Sequence, residues 1–286
     1  MKALVTGAGG QLGRALVALA PESVELVAAR SADLNVADRA AVLAFAARER
    51  PALILNAAAY TAVDRAESEQ EAARAVNERG VAHLVAAAEA VGARVAHVST
   101  DFVFDGAAAR AYAPHARPAP LGVYGATKLA GERQLRPGDL CVRTAWVYAA
   151  RGANFVRTML RLMAEREEIG VVADQIGSPT SAEDLADALW RLALGGQSGL
   201  FHFTGSGVAS WYDFAVAIRD ESVARGLLAQ SAARVRPIAT VDYPTPAKRP
   251  AFSVLDTRAT REALGGPAPH WRHSLIKVLE QIKSHG

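Results

Sequence analysis

Lys2-Ala3-Leu4-Val5-Thr6-Gly7-Ala8-Gly9-Gly10-Gln11-Leu12-Gly13 opens the chain with a short apolar run that ends in a glycine-rich turn. Lys2 to Thr6, mostly aliphatic and closed by a turn signal, predicts a buried strand, and Gln11 to Ala20 predicts a helix. Between them Gly7, Gly10 and Gly13 stand in GxxGxxG spacing. Gly7 lets the chain turn sharply off the strand, Gly10 lets a pyrophosphate approach the backbone, and Gly13 lets the helix close on the strand. Such a turn aims backbone N–H groups and the positive end of a helix at an anion. A dinucleotide is the expected ligand.

Strand and helix patterns alternate from there. Val24 to Ala29 reads as a second strand, about Ala37 to Arg48 as a helix, and Leu53 to Asn56 as a third strand. Glu67 to Val91 reads as largely helical, Val95 to Ser99 as a fourth strand, Gly122 to about Leu135 as a helix, and Leu140 to Ala145 as another strand. Short strands separated by helices predict an α/β fold with a doubly wound parallel sheet of the Rossmann type, binding ligands at the carboxyl ends of its strands. Past Trp146 a helix is expected from Asn154 to Glu168, a turn-rich loop at Asp174 to Thr180, and a helix from Glu183 to Leu194, followed by Pro-rich connections. The division expected is a dinucleotide-binding domain over 1–151 with a returning segment at about 181–203. A smaller C-terminal substrate-binding lobe would comprise mainly 152–180 and 204–286.

Composition narrows the function classes. Of 286 residues 51% are apolar, and the formal net charge is +3. No cluster of Lys and Arg interleaved with aromatics suggests nucleic acid, and the modest excess of cations suits an anionic small substrate. Cys141 is the only cysteine, so no internal disulfide can form and a cytoplasmic location is expected. In Leu140-Cys141-Val142 it reads as a buried core thiol. No apolar stretch is long enough to span a bilayer, so no membrane association is expected. His270 and His273 lack the further ligands a metal site needs, so no metal is expected. Trp190, Trp211, Met159 and Met163 read as packing residues. A homodimer stays open, because the sequence does not specify oligomeric state.

Tyr124 and Lys128, four residues apart in Tyr124-Gly125-Ala126-Thr127-Lys128, present a phenol and an ammonium on one helical face. A nearby ammonium favours phenolate, so Lys128 is expected to lower the pKa of Tyr124. Thr100, in Ser99-Thr100-Asp101 at the end of the fourth strand, can hydrogen-bond a carbonyl oxygen that Tyr124 protonates as hydride arrives from a nicotinamide. Asn77 is expected to orient Lys128 through water. The second strand ends Ala28-Ala29-Arg30-Ser31, without the acid that would bind a ribose 2′-hydroxyl. Arg30, helped by Arg14, suits a 2′-phosphate, which favours NADPH over NADH. Asp33 is a candidate adenine contact and the acid that would restore NADH use.

Longer motifs add to these. They are Asn56-Ala57-Ala58-Ala59-Tyr60-Thr61-Ala62-Val63-Asp64, Ser99 to Gly106, Tyr124 to Glu132, Arg143 to Tyr148, Asp174 to Thr180, and Arg249-Pro250 ahead of Ser253. Carrying them nearly end to end, the chain resembles the extended short-chain dehydrogenases/reductases, and within them the reductases of dTDP-linked 4-keto-6-deoxysugars. The resemblance implies NADPH-dependent reduction of the 4-keto group of dTDP-6-deoxy-L-lyxo-4-hexulose to dTDP-L-rhamnose. It implies Thr100, Tyr124 and Lys128 as catalytic residues. Gly7, Gly10, Gln11, Leu12, Arg30, Asp33, Leu34, Ala57, Ala58 and Ala59 would bind the cofactor with Tyr124 and Lys128. Thr61, Val63, Asp101, Phe102, Trp146 and Arg249 would meet the dTDP-sugar substrate, with Arg249 nearest its diphosphate. Phe102 stands where the family often has Tyr, and Phe252 where Asn or Tyr is common. Two alternatives stay open: a reductase of another dTDP-4-keto-6-deoxysugar, and a non-catalytic regulatory subunit that keeps the dinucleotide site.

Overall fold

The computed structural model describes residues 1–285. The chain begins with β1 (Lys2–Thr6), α1 (Gln11–Ala18), β2 (Glu25–Ala29), α2 (Arg39–Glu49) and β3 (Leu53–Asn56). It continues through α3 (Val63–Ala66), α4 (Gln70–Arg74), a π-helical stretch (Ala75–Arg79), α5 (Gly80–Val91), β4 (Arg94–Thr100), α6 (Val123–Glu132) and β5 (Leu140–Thr144). Next come β6 (Val147–Tyr148), α7 (Phe155–Glu165), β7 (Glu168–Val172), β8 (Ile176–Gly177), β9 (Thr180–Ser181), α8 (Ala182–Leu194) and β10 (Gly199–His202). β11 (Ala209–Ser210), α9 (Trp211–Ala224), β12 (Arg234–Ile238), α10 (Arg258–Leu264) and α11 (Trp271–His285) complete it.

Six strands form one parallel sheet in the order β2-β1-β3-β4-β5-β10. Every residue of β3 and β5 is buried, as expected of strands covered by helices on both faces. On one face Leu16 of α1 and Leu185, Leu189 and Trp190 of α8 share a core, and the Trp190 indole donates to Leu16 O at 2.9 Å. On the other, Val42 of α2 packs with Leu84 and Ala88 of α5. Between β2 and β3 the chain supplies one helix and no strand, started at Arg39 because the Asp38 carboxylate accepts from Ala41 N at 3.1 Å. The winding therefore reverses between β1 and β3, and a crevice opens at their carboxyl ends.

A second core gathers Met159 and Met163 of α7, Phe214 of α9 and Leu275 of α11 against the parallel pair β7–β12. The helix expected to reach Glu168 stops at Glu165. Ile169, Val171 and Val172 alternate with exposed neighbours or close the run, and burying them in a strand satisfies them better than another helical turn. The helical region before Val91 is likewise broken, by the π-helical stretch that turns Asn77 inward.

Candidate active site

The glycine-rich turn sits at the crevice. Gly7 has φ +67°, and a Cβ there would lie 2.6 Å from Ala58 N, while one on Gly13 would lie 2.1 Å from Gly7 O. Side chains at either position would push the turn off β3 or off α1. No side chain caps α1, so its first N–H groups remain directed at the crevice. Ala57, Ala58 and Ala59 follow β3 directly and form its opposite wall. Gln11 bridges to the turn ahead of α7, donating to Ala153 O at 3.3 Å and accepting from Asn154 Nδ2 at 2.9 Å. Leu12 packs against the sheet core. Arg30 is exposed, and its Cγ would stand 3.7 Å from a Cβ on Gly9, so its side chain lies over the turn. The Asp33 carboxylate accepts from Arg30 N at 2.9 Å, and Leu34 is buried beneath. Arg14 turns toward Gly152 instead of joining Arg30. A cradle that a Cβ would fill, an uncapped helix and a cation over the turn fit a phosphorylated dinucleotide.

Beside it, Thr100 and Asp101 end β4, both buried. The Thr100 hydroxyl donates to Asp101 Oδ1 at 3.0 Å and accepts from Phe102 N at 3.2 Å. α6 approaches so closely that a Cβ on Gly125 would lie 2.1 Å from Phe102 O, and the Glu67 carboxylate accepts from Val123 N at 2.8 Å in the first turn. This seats Tyr124 with its ring edge-on to Phe102, the centroids 5.6 Å apart. Burial raises the Asp101 carboxyl to about 6, with Ser253 and Thr100 working against the rise. Its Oδ2 is buried with no hydrogen-bond partner among the described residues.

One expectation is corrected here, and two further residues prove tied within the chain. Lys128 does not make Tyr124 more acidic: burial pushes that phenol up to about 12, Thr100 opposing and the Asp101 carboxylate adding to the rise. The Lys128 ammonium points elsewhere, donating to Val98 O at 2.7 Å and lying 3.4 Å from His97 Nε2. Burial lowers Lys128 to about 8, while Cys141 and Glu132 act the other way. Asn77 is buried, accepting from Tyr60 N at 2.9 Å and donating to Tyr60 O at 3.1 Å and to Thr127 Oγ1, beside Lys128 in sequence, at 3.2 Å. The Arg249 guanidinium, the cation expected nearest the diphosphate, is engaged within the chain. It grips the Asp64 carboxylate with both terminal nitrogens, at 3.0 and 2.8 Å, and that carboxylate also accepts from Ala247 N. Arg249 thereby holds the Asp64 carboxyl below its usual range.

Thr61 and Val63 lie on the segment running from β3 into α3, whose Asp64 and Glu67 reach the Arg-Pro segment and α6 respectively. Trp146 adopts φ +50°, a strained value for a bulky residue, and stacks on Trp211 with centroids 3.6 Å apart. Trp211, read from sequence as packing, thus backs a candidate substrate residue. Phe252 bridges to Ile176 beside β8. Glu67, Asp64 and His97 were not singled out by sequence reasoning. Their partners lie 56, 185 and 31 residues away, beyond any local signature.

A parallel sheet reversing at a glycine-rich turn, with Thr100 acting on Tyr124 at the end of β4 and Lys128 one turn along the Tyr124 helix, defines an extended short-chain dehydrogenase/reductase. The family described as RmlD substrate binding domain matches residues 1–284. A dTDP-4-dehydrorhamnose reductase of Aggregatibacter actinomycetemcomitans is 44% identical, over 96% of this chain and 97% of that protein. The crystal structure of a dTDP-4-dehydrorhamnose reductase from Clostridium acetobutylicum superposes with a TM-score of 0.92 at 39% identity, covering 99% of this chain and all (100%) of the other. Another from Bacillus anthracis, in complex with NADP, gives 0.91 at 35% identity over 98% and 99% of the two chains. The chain belongs to the dTDP-4-dehydrorhamnose reductase family. No helix among the described residues is long and apolar enough to cross a membrane, and no group of metal-binding side chains occurs among them.

Proposed function

We propose that this protein reduces the 4-keto group of dTDP-4-dehydro-6-deoxy-L-mannose (dTDP-4-dehydrorhamnose) to dTDP-L-rhamnose with NADPH. The reading is supported by Thr100 and Tyr124, buried and acting on each other at the end of β4 with Lys128 one turn along the same helix, in a chain of this family. Bound NADPH would supply the hydride for C4. Tyr124, held protonated by its buried setting, gives its phenolic proton to the ketone oxygen as charge develops there. Thr100 exchanges its Asp101 acceptor for the same oxygen and stabilises that charge. Lys128 supports the cofactor from the floor of the site, and Arg30 meets its 2′-phosphate. Thr61, Val63, Asp101, Phe102 and Trp146 flank the sugar. Arg249 contributes through Asp64, by fixing the segment that carries Ser253 toward Asp101.

Incubation of the protein with the dTDP-linked keto sugar and NADPH, followed by NMR of the product, tests this reading. L-Rhamnose configuration at C4 is expected, with very poor reduction of the same sugar lacking its nucleotide, because remote binding energy positions the ketone. A 6-deoxytalose product would reverse the C4 stereochemistry assigned to the reduction. Comparable kcat/KM for free and nucleotide-linked sugar would make the protein a general carbonyl reductase.

A further inference from the structure

His97 lies in β4, fully buried, directly behind Lys128. Its Nδ1 is 3.0 Å from Asn56 Nδ2. The orientation of that amide is fixed independently, because Asn56 Oδ1 accepts from Thr6 Oγ1 at 2.7 Å and from Ala58 N at 3.1 Å. A backbone N–H can only donate, so the atom facing it is the amide oxygen, and the NH₂ must face His97. Nδ1 therefore accepts, and a neutral imidazole in that position carries its proton on Nε2, the nitrogen facing Lys128 Nζ. Burial, then the charge of Lys128, lowers the His97 imidazole well below its ordinary range and keeps the ring neutral.

Two donors thus confront each other whenever Lys128 is charged. We propose that His97 is a positioning residue for the reaction: its Nε2–H, fixed by Asn56 and Thr6, steers the Lys128 amine toward Val98 O and favours the uncharged amine over the ammonium. This rests on the reading of Lys128 as a residue of the reductase site. The chain Lys128–His97–Asn56–Thr6 is no proton wire, because Asn56 has no proton to give up and its oxygen already holds two donors. It acts as a fixed dipole. The other groups facing this part of α6 are few. Cys141 on β5 is a buried thiol, and Glu132 on α6 itself is bonded to Arg143 and Ser99. Asp101 after β4 acts on Tyr124, Glu67 beside α3 is bonded to Val123 N, and the π-helical stretch presents the uncharged Asn77.

The chain has five lysines, Lys2, Lys128, Lys248, Lys277 and Lys283, so the titration of Lys128 can be followed by ¹⁵N NMR of lysine-labelled protein. His97→Leu removes the opposing N–H and should raise the Lys128 titration by roughly half a unit to one unit. His97→Gln, whose amide NH₂ can occupy the place of Nε2–H, should restore a value near that of the unaltered protein. The alkaline limb of the NADPH-dependent rate should move with it. An unmoved Lys128 titration in His97→Leu would overturn the proposal, since mere packing damage lowers stability without shifting that midpoint. Should the leucine variant not fold, ¹⁵N-histidine spectra of the unaltered protein decide: an Nε2–H tautomer for His97 supports the proposal and an Nδ1–H tautomer overturns it. The two NMR readouts need no turnover, so they stand apart from whether the dTDP-sugar is the substrate.

Discussion

Lys128 on helix α6 and Arg143 on strand β5 are both cations, each 2% exposed, and the protein treats them in opposite ways. Arg143 is saturated: Nε and Nη2 donate to the two oxygens of Glu132 at 2.8 and 2.6 Å, Nη1 donates to Pro114 O at 3.1 Å, and the guanidinium lies over the Phe104 ring. Lys128 forms no ion pair among the described residues and has one carbonyl as a good acceptor. A buried charge with a complete set of partners is structure. One left with a single acceptor, beside a phenol that burial keeps protonated, is at a cost to stability that folding alone would not retain.

If that difference is functional, substitutions on the two sides should separate activity from stability. The largest effect is expected for Tyr124→Phe, which should lower turnover by about 10²–10⁴ while its unfolding midpoint stays close to that of the parent. NADPH oxidation with saturating keto sugar measures it, and near-parental turnover would break the comparison from the functional side. Arg143→Met should do the reverse. Left buried without its partner, Glu132 should cost about 3–5 kcal/mol of unfolding free energy in urea titrations. A loss below about 1 kcal/mol would mean that Arg143 is no more structural than a surface pair.

A smaller effect sharpens the same contrast at the substrate end. Arg249 is tied to Asp64 and only partly exposed, so it belongs with Arg143 as a paired charge. Arg249→Ala and Asp64→Asn should then raise KM for the dTDP-sugar by similar factors, on the order of tenfold or less, without altering NADPH affinity. A large rise for Arg249→Ala alone would return the guanidinium to the diphosphate.

What the sequence disclosed follows the same division. The turn at Gly7, Gly10 and Gly13 and the spacing of Tyr124 and Lys128 are local patterns, and their backbone geometry was readable from neighbours along the chain. The strand at Glu168–Val172 was hidden because Ile169 and its neighbours continue an apolar pattern that a helix also carries, and only pairing with β12 decides between them. Asn77 turned out buried because of a π-helical stretch that no residue between Ala75 and Arg79 announces. The acidity of Tyr124 was misjudged for a related reason. Spacing gave its distance along the helix from Lys128, but not the depth of the phenol or the direction in which Val98 O and His97 draw the amine.

The most direct measurement of the claim about Lys128 is the unfolding free energy of Lys128→Met relative to the parent, followed against pH. In the folded protein Lys128 titrates at about 8, below its ordinary value of 10.5, so its charged form opposes folding. That penalty is fully present below pH 8 and fades as the pH rises from there toward the ordinary lysine value, where the unfolded chain also gives up the proton. The account predicts that Lys128→Met is inactive yet more stable than the parent by about 2 kcal/mol at neutral pH, after allowance for the hydrogen bond lost at Val98 O, with the advantage shrinking above pH 8. A methionine variant less stable than the parent at neutral pH, or a difference that does not change with pH, would contradict it.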